Sequence, residues 1–189
     1  MPHRENTITL PLDMSHAPKI LFLFGVSGAG KSYVGDIIGE FNKNCYVYHA
    51  DDDITEEMKT ALKNKKPFTD EIRNRFFDLI IAKIKILLHQ YEQVVITQGA
   101  YKQKHRDLLL KEIPGMELIW VDASQDIIHK RLLHRQNGIS IASADALVKD
   151  FEAPKELTKS VSNTKDGNYI IEQLNYYYSP QKRYRFQLI

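Results

Sequence analysis

Residues 25–32 of the 189-residue chain read Gly-Val-Ser-Gly-Ala-Gly-Lys-Ser. This stretch matches the pattern G-x-x-x-x-G-K-[ST], in which glycines let successive backbone N–H groups converge on one phosphate. The apolar segment 19–24 before it is typical of a strand buried on both faces, and residues 32–41 after it place their apolar side chains on one helix face. This order predicts a phosphate-binding loop.

The residue types in the loop favour a nucleoside triphosphate as ligand. The helix start adds the positive end of its dipole, Lys31 can reach the β- and γ-phosphates, and the Ser32 hydroxyl is suited to Mg²⁺. ATP is preferred over GTP because residues 163–166, Asn-Thr-Lys-Asp, only approximate the guanine signature Asn-Lys-x-Asp and are predicted to form a surface turn. The predicted nucleotide-binding residues here are Gly25, Ser27, Gly28, Ala29, Gly30, Lys31, Ser32 and Tyr33.

Strand-like and helix-like segments alternate along the rest of the chain. Further strands are predicted at 46–49, 93–97, 117–121 and 169–172, and further helices at 55–65, 69–91, 102–113, 124–135 and 144–151. Alternation of this kind predicts an α/β P-loop NTPase fold with three layers: a parallel sheet of about five strands, helices on both faces, and a small lid. The predicted divisions are an N-terminal arm (1–18), a P-loop domain (19–175, lid at about 135–152) and a basic, aromatic C-terminal tail (176–189).

The composition is that of an ordinary globular protein. The formal net charge of +2 does not require nucleic acid or an anionic membrane as a partner. The single cysteine, Cys45, excludes an internal disulfide and is expected to be a buried structural thiol. No apolar run approaches the ~18 residues of a membrane span, and residues 1–18 lack the features of a secretory signal. We therefore expect a cytoplasmic location and no membrane association.

An acidic cluster, residues 51–53, follows the second predicted strand. Ligands of open α/β sheets bind at this carboxyl edge, and phosphoryl transfer to a hydroxyl needs an acceptor-orienting base and a carboxylate near the metal. Aspartates also favour helix starts for structural reasons, which is the preferred interpretation of Asp53. Asp51 is the preferred functional candidate.

From the loop to about residue 154 the chain resembles the gluconate kinase and shikimate kinase branch of the P-loop small-molecule kinases. The segments that carry the resemblance are 25–32 for the loop, 49–52 for an Asp-x-Asp element, 67–73 for Pro-Leu-x-Asp-x-x-Arg, 99–107 for Ser-Ala-Leu-Lys-x-x-Tyr-Arg-Asp, 131–135 for an Arg-Leu-x-x-Arg lid element, and 150–152 for Gln-Phe-Glu. It implies an ATP- and Mg²⁺-dependent kinase acting on a hydroxyl of a sugar acid such as gluconate, or of a related carbohydrate.

The resemblance also implies roles for individual residues. Lys31, Asp51 and Arg135 would be catalytic, with Asp51 aligning the acceptor hydroxyl and Arg135 closing over ATP together with Arg131. Asp52 would join Ser32 at the metal. The acceptor, which is expected to be a small, hydroxylated and anionic molecule, would contact Asp51, Arg73, Gly99, Lys102 and Arg106.

Three departures from the family pattern fall on segments that face the acceptor. His49 replaces the first aspartate of Asp-x-Asp, Ile54-Thr55 replaces a His-Pro pair, and residues 137–139 replace Gly-His-Phe in the lid. One interpretation of His49 is a neutral imidazole that accepts a hydrogen bond from metal-bound water; a strand-end histidine with satisfied hydrogen bonds is preferred. The alternatives left open are a shikimate kinase-like enzyme, a nucleotide or RNA kinase aided by the basic tail, and a non-catalytic nucleotide-binding regulator. A homodimer is suggested by the resemblance alone.

Overall fold

A computed structural model describes residues 8–64, 66, 68–134, 144 and 147–180 of the protein. Its strands and helices are β1 (Ile20–Phe24), α1 (Lys31–Phe41), β2 (Cys45–His49), α2 (Glu56–Lys63), α3 (Asp70–Leu87), β3 (Gln93–Thr97), α4 (Gln103–Glu112), β4 (Met116–Asp122), α5 (Gln125–His134), β5 (Lys159–Ser162) and α6 (Gly167–Tyr178). A short 3₁₀ turn, Ala50–Asp53, follows β2.

The five strands form one parallel sheet in the order β2-β3-β1-β4-β5. Strands that follow one another along the chain are therefore often not neighbours, and helices cross over between them. The central position of β1 places the phosphate loop, which follows it, at the middle of the sheet's carboxyl edge. The predicted α/β fold is confirmed.

The residues of β1 alternate between two apolar cores, one on each face of the sheet. Phe22 and Phe24 pack in a cluster that includes residues of α2, α3 and α4. Leu21 and Leu23 pack in a second cluster with residues of α1 and α6. Since a strand points successive side chains to opposite faces, a strand apolar at every position needs cover on both sides. This explains the three layers.

Residues 169–172 were predicted as a strand, and this prediction is wrong: they lie inside α6. The Asp166 side chain accepts a hydrogen bond from the Tyr169 N–H and so caps the helix start. The buried residues recur with helical spacing, as Ile170, Ile171, Leu174 and Tyr178. Local β-branched character favoured a strand, but the cap and this buried face determine a helix, and the fifth strand is Lys159–Ser162.

The two ends of the described chain pack against each other. Backbone N–H groups of Thr9 and Leu10 donate to Asn168 Oδ1, and that of Asp13 donates to Asn175 Oδ1. Residues 176–178 belong to α6, and Tyr178 is buried in the core instead of extending into a tail. Residues 181–189, the rest of the predicted tail, lie outside the described part of the chain.

The structure also bears on the start of α3, the Cys45 thiol and the possibility of a membrane-spanning helix. The predicted start of a helix at residue 69 is confirmed, because the Thr69 side chain caps α3 by accepting a hydrogen bond from the Ile72 N–H. Cys45 is half-buried, and burial raises the pKa of its thiol to about 11, so the thiol is protonated and unreactive at neutral pH. Within the residues that the structure describes, the helices are all too short or too polar to cross a membrane.

The helical assignment of α6 leads to a stability prediction. Leu174→Ala should lower the free energy of unfolding by about 2–5 kcal/mol, because it leaves a cavity in a closed core. Glu172→Ala, an exposed site on the same helix, should change it by no more than about 0.5 kcal/mol. Urea denaturation of both variants measures the difference. Equal effects at the two positions would contradict the buried face described here.

Candidate active site

The phosphate loop adopts a backbone that glycine permits. Gly28 and Gly30 have φ values of +85° and +89°, in the left-handed region. A Cβ atom added to Gly30 would lie 2.0 Å from the Asn163 Nδ2, so this position also lacks room for a side chain. Gly30 leads directly into α1, whose start has no side-chain cap. An uncapped helix start beside a glycine loop is suited to bind an anion.

Arg131 and Asn163 hold the back of the loop. Asn163 Nδ2 donates to the Ala29 carbonyl oxygen at 2.9 Å, and Arg131 Nη1 donates to the same oxygen at 3.1 Å. Arg131 Nη2 also donates to Asn163 Oδ1 at 3.1 Å. Because the Gly30 N–H belongs to the same peptide group as the Ala29 carbonyl, it points the opposite way, toward the phosphate side. The two side chains therefore orient the loop amides.

These contacts correct two predictions. Residues 163–166 were expected to form a surface turn after no clear strand. Residues 164–166 are exposed, as expected, but Asn163 follows β5 directly and is only 1% exposed. Arg131 was expected to close over ATP, whereas its guanidinium lies behind the loop and binds loop carbonyls. The reason is the same in both cases: the partners lie 102 to 134 residues away along the chain, and only folding brings them together.

A cavity of about 430 Å³ opens beside the loop at the carboxyl edge of the sheet. Six of the residues predicted to form the site line it together: Ser27, Lys31, Asp51, Asp52, Arg73 and Gly99. Lys31 is nearly buried, and its Nζ donates to the Val26 carbonyl oxygen at 3.1 Å. The structure thus brings the lysine of the loop, two aspartates of the acidic cluster and the arginine of α3 to one place.

Asp51 and Asp52 lie on the 3₁₀ turn and are exposed. Gln98 Nε2 donates to Asp51 Oδ1 at 3.0 Å, which fixes one carboxylate oxygen toward the cavity wall. Gln98 was not among the predicted site residues. Its position directly after β3, at the edge of the sheet where ligands bind, could have identified it. Asp53 accepts a hydrogen bond from the Tyr48 hydroxyl at 2.9 Å, which ties the end of the turn to β2.

Both ring nitrogens of His49 have partners. Nδ1 lies 2.9 Å from Thr97 Oγ1, and Nε2 lies 3.0 Å from Asp36 Oδ1. The interpretation of His49 as a strand-end histidine with satisfied hydrogen bonds is confirmed. Among the residues that the structure describes there is also no group of three or more His, Cys, Asp or Glu side chains arranged to hold a metal ion by themselves.

Arg73 reaches the cavity from the first turn of α3 and is 8% exposed. Its Nη2 donates to Asp150 Oδ2 at 2.8 Å, and this hydrogen bond lowers the pKa of Asp150. Lys102 lies at the same carboxylate, with Nζ 3.8 Å from Asp150 Oδ1 and 3.7 Å from Glu152 Oε1. Lys102 is not among the residues that line the cavity.

Tyr101 connects the cavity to the loop and was missed as a site residue. Its hydroxyl accepts a hydrogen bond from the Ser27 N–H at 2.9 Å and donates to Ser27 Oγ at 3.2 Å. Burial raises the pKa of Tyr101, so the phenol keeps its proton. The residue before it, Ala100, has a φ of +40°, a strained value that clusters at functional sites.

Arg106 was predicted to contact the acceptor, and the structure contradicts this. The side chain is 1% exposed and donates to the carbonyl oxygens of Ala100 at 2.7 Å and of Glu152 at 2.8 Å. Its guanidinium lies 4.9 Å from the ring centroid of Phe24. These donors are already used within the protein, so Arg106 supports the loop that carries Tyr101.

Two further predicted site residues remain, Tyr33 and Arg135. Tyr33 is 39% exposed on α1 and is absent from the cavity lining. Arg135, predicted as a catalytic lid residue, and most of the lid, including residues 135–143, lie outside the described residues.

Comparison with known proteins gives three findings. The profile of the family described as "Shikimate kinase" matches residues 27–172. A "Probable gluconokinase" of Mus musculus is 28% identical over 141 residues, with 64% of this chain and 74% of that protein aligned. A "Shikimate kinase" of Sulfurihydrogenibium sp. (strain YO3AOP1) is 29% identical over 119 residues, with 63% of this chain and 69% of that protein aligned.

The fold has relatives among solved structures as well. The crystal structure of a gluconokinase from Sinorhizobium meliloti 1021 superposes with a TM-score of 0.71 at 23% identity, covering 91% of this chain and 98% of that one. At this identity the likeness shows the fold, and the P-loop architecture predicted from the sequence is again confirmed.

The buried position of Arg106 leads to a testable expectation. Arg106→Lys should lower the free energy of unfolding by about 1.5–3 kcal/mol, because a lysine cannot replace the forked donors that bind separate carbonyl oxygens. Thermal or urea unfolding measures the loss, and Lys104→Arg, at an exposed site of the same helix, is the control. Unchanged stability with a raised KM for the acceptor would instead restore Arg106 as a substrate ligand.

Proposed function

Because the chain belongs to the shikimate kinase family of ATP-dependent kinases, we propose that it phosphorylates a hydroxyl group of a small hydroxylated acid, the class that includes sugar acids such as gluconate. One observation carries the proposal: Lys31 of the phosphate loop, Asp51 and Arg73 line the same cavity. These side chains supply in one place a phosphate ligand, a carboxylate for a hydroxyl and a cation for an acid group.

The proposed chemistry is positioning together with electrostatic stabilisation. The amides of residues 25–32 and the Lys31 ammonium bind the phosphates of ATP and offset the charge on the transferred group. Asp51, held by Gln98, accepts the proton of the acceptor hydroxyl or orients that hydroxyl for attack. Arg73 faces the acid group of the acceptor. Gly99 has no side chain, so the acceptor can approach the backbone at that point of the cavity wall.

Magnesium fits the donor set that the site offers. Ser32 contributes a hydroxyl and Asp52 a carboxylate, and Mg²⁺ is commonly held by one or two protein oxygens together with substrate phosphates and water. We propose that Ser32 and Asp52 hold it. When bound, the ion neutralises charge on the β- and γ-phosphates. His49 is not a ligand in this proposal, because both its nitrogens are engaged.

The proposal gives separate roles to the two arginines that were predicted to close over ATP. Arg131 acts from behind the loop, where its contacts fix the orientation of the loop amides. Arg135 is proposed to neutralise charge on the transferred group from the lid. Lys102 adds positive charge near Asp150 and Glu152. Tyr33 is proposed to contact the nucleotide from the exposed side of α1.

A screen for acceptor-dependent ADP formation tests the function. Gluconate and other sugar acids, shikimate, polyols, nucleosides and short RNA are each supplied with ATP and Mg²⁺. We expect turnover with a hydroxylated acid, and Lys31→Ala should reduce it by several orders of magnitude because the charge on the phosphates is no longer offset. Lys43→Ala, at an exposed site after α1, is the control.

The other outcomes of that screen distinguish the alternatives. Turnover only with RNA or nucleosides, weakening steeply as salt rises for RNA, would replace the proposal with a nucleic-acid or nucleotide kinase. Nucleotide binding without phosphorylation of any acceptor would favour a non-catalytic regulator. Normal turnover in Lys31→Ala would refute the assignment of the loop.

Asp51 is tested separately from nucleotide binding. Asp51→Asn should lower kcat by about 10²–10⁴-fold, because an amide cannot take the hydroxyl proton, while the affinity for ATP stays unchanged. Asp53→Asn, next to it on the same turn, should keep most of the activity. Steady-state kinetics with the acceptor identified by the screen measures both. If the two variants lose activity equally, the assignment of Asp51 fails.

A further inference from the structure

The hydroxyl of Tyr101 forms two hydrogen bonds with a single residue of the phosphate loop. It accepts from the Ser27 N–H at 2.9 Å and donates to Ser27 Oγ at 3.2 Å. Ser27 and Tyr101 both line the cavity, together with Lys31 and Asp51. The bonded pair therefore lies at the border between the phosphate loop and the acceptor cavity, which a transferred phosphoryl group has to cross.

The Tyr101 side chain is held in place from several directions. Its backbone carbonyl oxygen accepts from the Glu152 N–H at 2.9 Å and from Arg106 Nη1 at 3.1 Å. The ring of Phe151 packs edge-on against the tyrosine ring, with centroids 5.8 Å apart. On another side the ring lies so close to Gly99 that an added Cβ atom would be 2.6 Å from ring carbon Cε2. The hydroxyl is thus presented to Ser27 from a rigid support.

This phenol is suited to orient a neighbouring group. Burial raises the pKa of Tyr101, so the hydroxyl keeps its proton and is not a base. A neutral hydroxyl can donate and accept at once, which allows it to hold both the N–H and the side chain of Ser27. The related kinases have leucine in the pattern Ser-Ala-Leu-Lys where this chain has Tyr101, so these hydrogen bonds are a feature of this chain.

We propose that Tyr101 is a positioning residue for phosphoryl transfer, which acts by fixing Ser27 at the border between the phosphate loop and the acceptor cavity. The inference rests on the proposed function and adds a residue to it. In that reaction the acceptor oxygen bonds to the γ-phosphorus, the bond from this phosphorus to the bridging oxygen of ADP breaks, and the hydroxyl proton leaves toward Asp51. Tyr101 exchanges no atom; it keeps the edge of the loop where the γ-phosphoryl group faces the acceptor.

Tyr101→Phe tests the proposal because it removes the hydroxyl and keeps the ring. It should lower kcat by about 10–100-fold, since small displacements of reacting groups are costly, while KM for ATP and the dissociation constant of ADP change less than about threefold. Steady-state kinetics with the acceptor identified by the screen, and isothermal titration calorimetry with ADP, measure these effects. The unfolding midpoint of each variant is measured alongside.

Tyr177→Phe is the matched control. The Tyr177 hydroxyl also bonds twice to a single residue, since it donates to the Ser160 carbonyl oxygen at 2.9 Å and accepts from the Ser160 N–H at 3.4 Å. Tyr177 does not line the cavity. This variant loses comparable hydrogen bonds, and it should leave kcat, KM and the dissociation constant of ADP unchanged.

A double variant shows whether Tyr101 acts through Ser27. Ser27→Ala removes one of the two hydrogen bonds, so Tyr101→Phe should lower kcat at least about threefold less in this background than in the unsubstituted protein. Fully additive effects would show that the two residues act independently, which overturns the inference. If Tyr101→Phe does not fold, Ser27→Ala takes its place in the other measurements.

A further measurement needs no acceptor. ADP with aluminium fluoride and Mg²⁺ mimics the phosphoryl group in transfer, and calorimetry gives its affinity relative to that of ADP alone. Tyr101→Phe should reduce this ratio of affinities by about tenfold, because the mimic depends on an aligned loop and ADP does not. Tyr177→Phe should keep the ratio of the unsubstituted protein.

The inference and the proposed function fail in different ways. Unchanged kcat in Tyr101→Phe, or an equal loss in Tyr177→Phe, overturns the inference and leaves the proposed function standing. A raised KM for the acceptor at unchanged kcat also overturns it, since Tyr101 would then be an acceptor ligand. If the protein phosphorylates no hydroxylated acid, the proposed function fails, while the aluminium fluoride ratio still decides whether Tyr101 positions the loop.

Discussion

The orientation of one peptide group, between Ala29 and Gly30, supports the rest of the site. Two side chains, Asn163 and Arg131, bind its carbonyl oxygen from behind. The N–H of the same peptide group must then point away from these two side chains, to the side where phosphates bind. Gly30 has a left-handed backbone conformation and directly precedes α1. Because β3 lies between β2 and β1 in the sheet, the Tyr101 segment after β3 lies between the acidic turn and this peptide. A change in the peptide would therefore alter phosphate binding and the cavity together.

A second set of contacts joins the acceptor cavity to the same loop. Arg106 holds the carbonyl oxygens of Ala100 and Glu152, and Tyr101, next to Ala100, bonds to Ser27 of the loop. The buried guanidinium thus links the loop after β3 to residues 152–153 and, through Tyr101, to the phosphate loop. A buried charge is tolerated here because carbonyl dipoles and aromatic faces surround it. The same hydrogen bonds of Arg106 therefore stabilise the fold and fix the position of Tyr101.

Local patterns made much of this predictable. The phosphate loop, the four strands before residue 122 and the cap at Thr69 follow from spacing within a few residues, and the structure agrees with them. Residues 169–172 show the limit of such reasoning, since a β-branched pair favoured a strand and the buried face of α6 made it a helix. The family resemblance implied that Asp51 and Arg73 both contact the acceptor, and the structure places both in the lining of one cavity.

The phosphate loop, the alternation of strands and helices, and the residue types suited to phosphoryl transfer can all be recognised from short sequence patterns. The partners of the three arginines, in contrast, are known only from the folded chain. Arg73 faces the cavity, Arg106 is buried beneath the Tyr101 loop, and Arg131 supports the phosphate loop from behind. Secondary structure depends largely on hydrogen bonds between residues that are close in the sequence, so short sequence patterns predict it. The partner of a long charged side chain is instead chosen among groups from distant parts of the sequence, which come together only when the sheet forms.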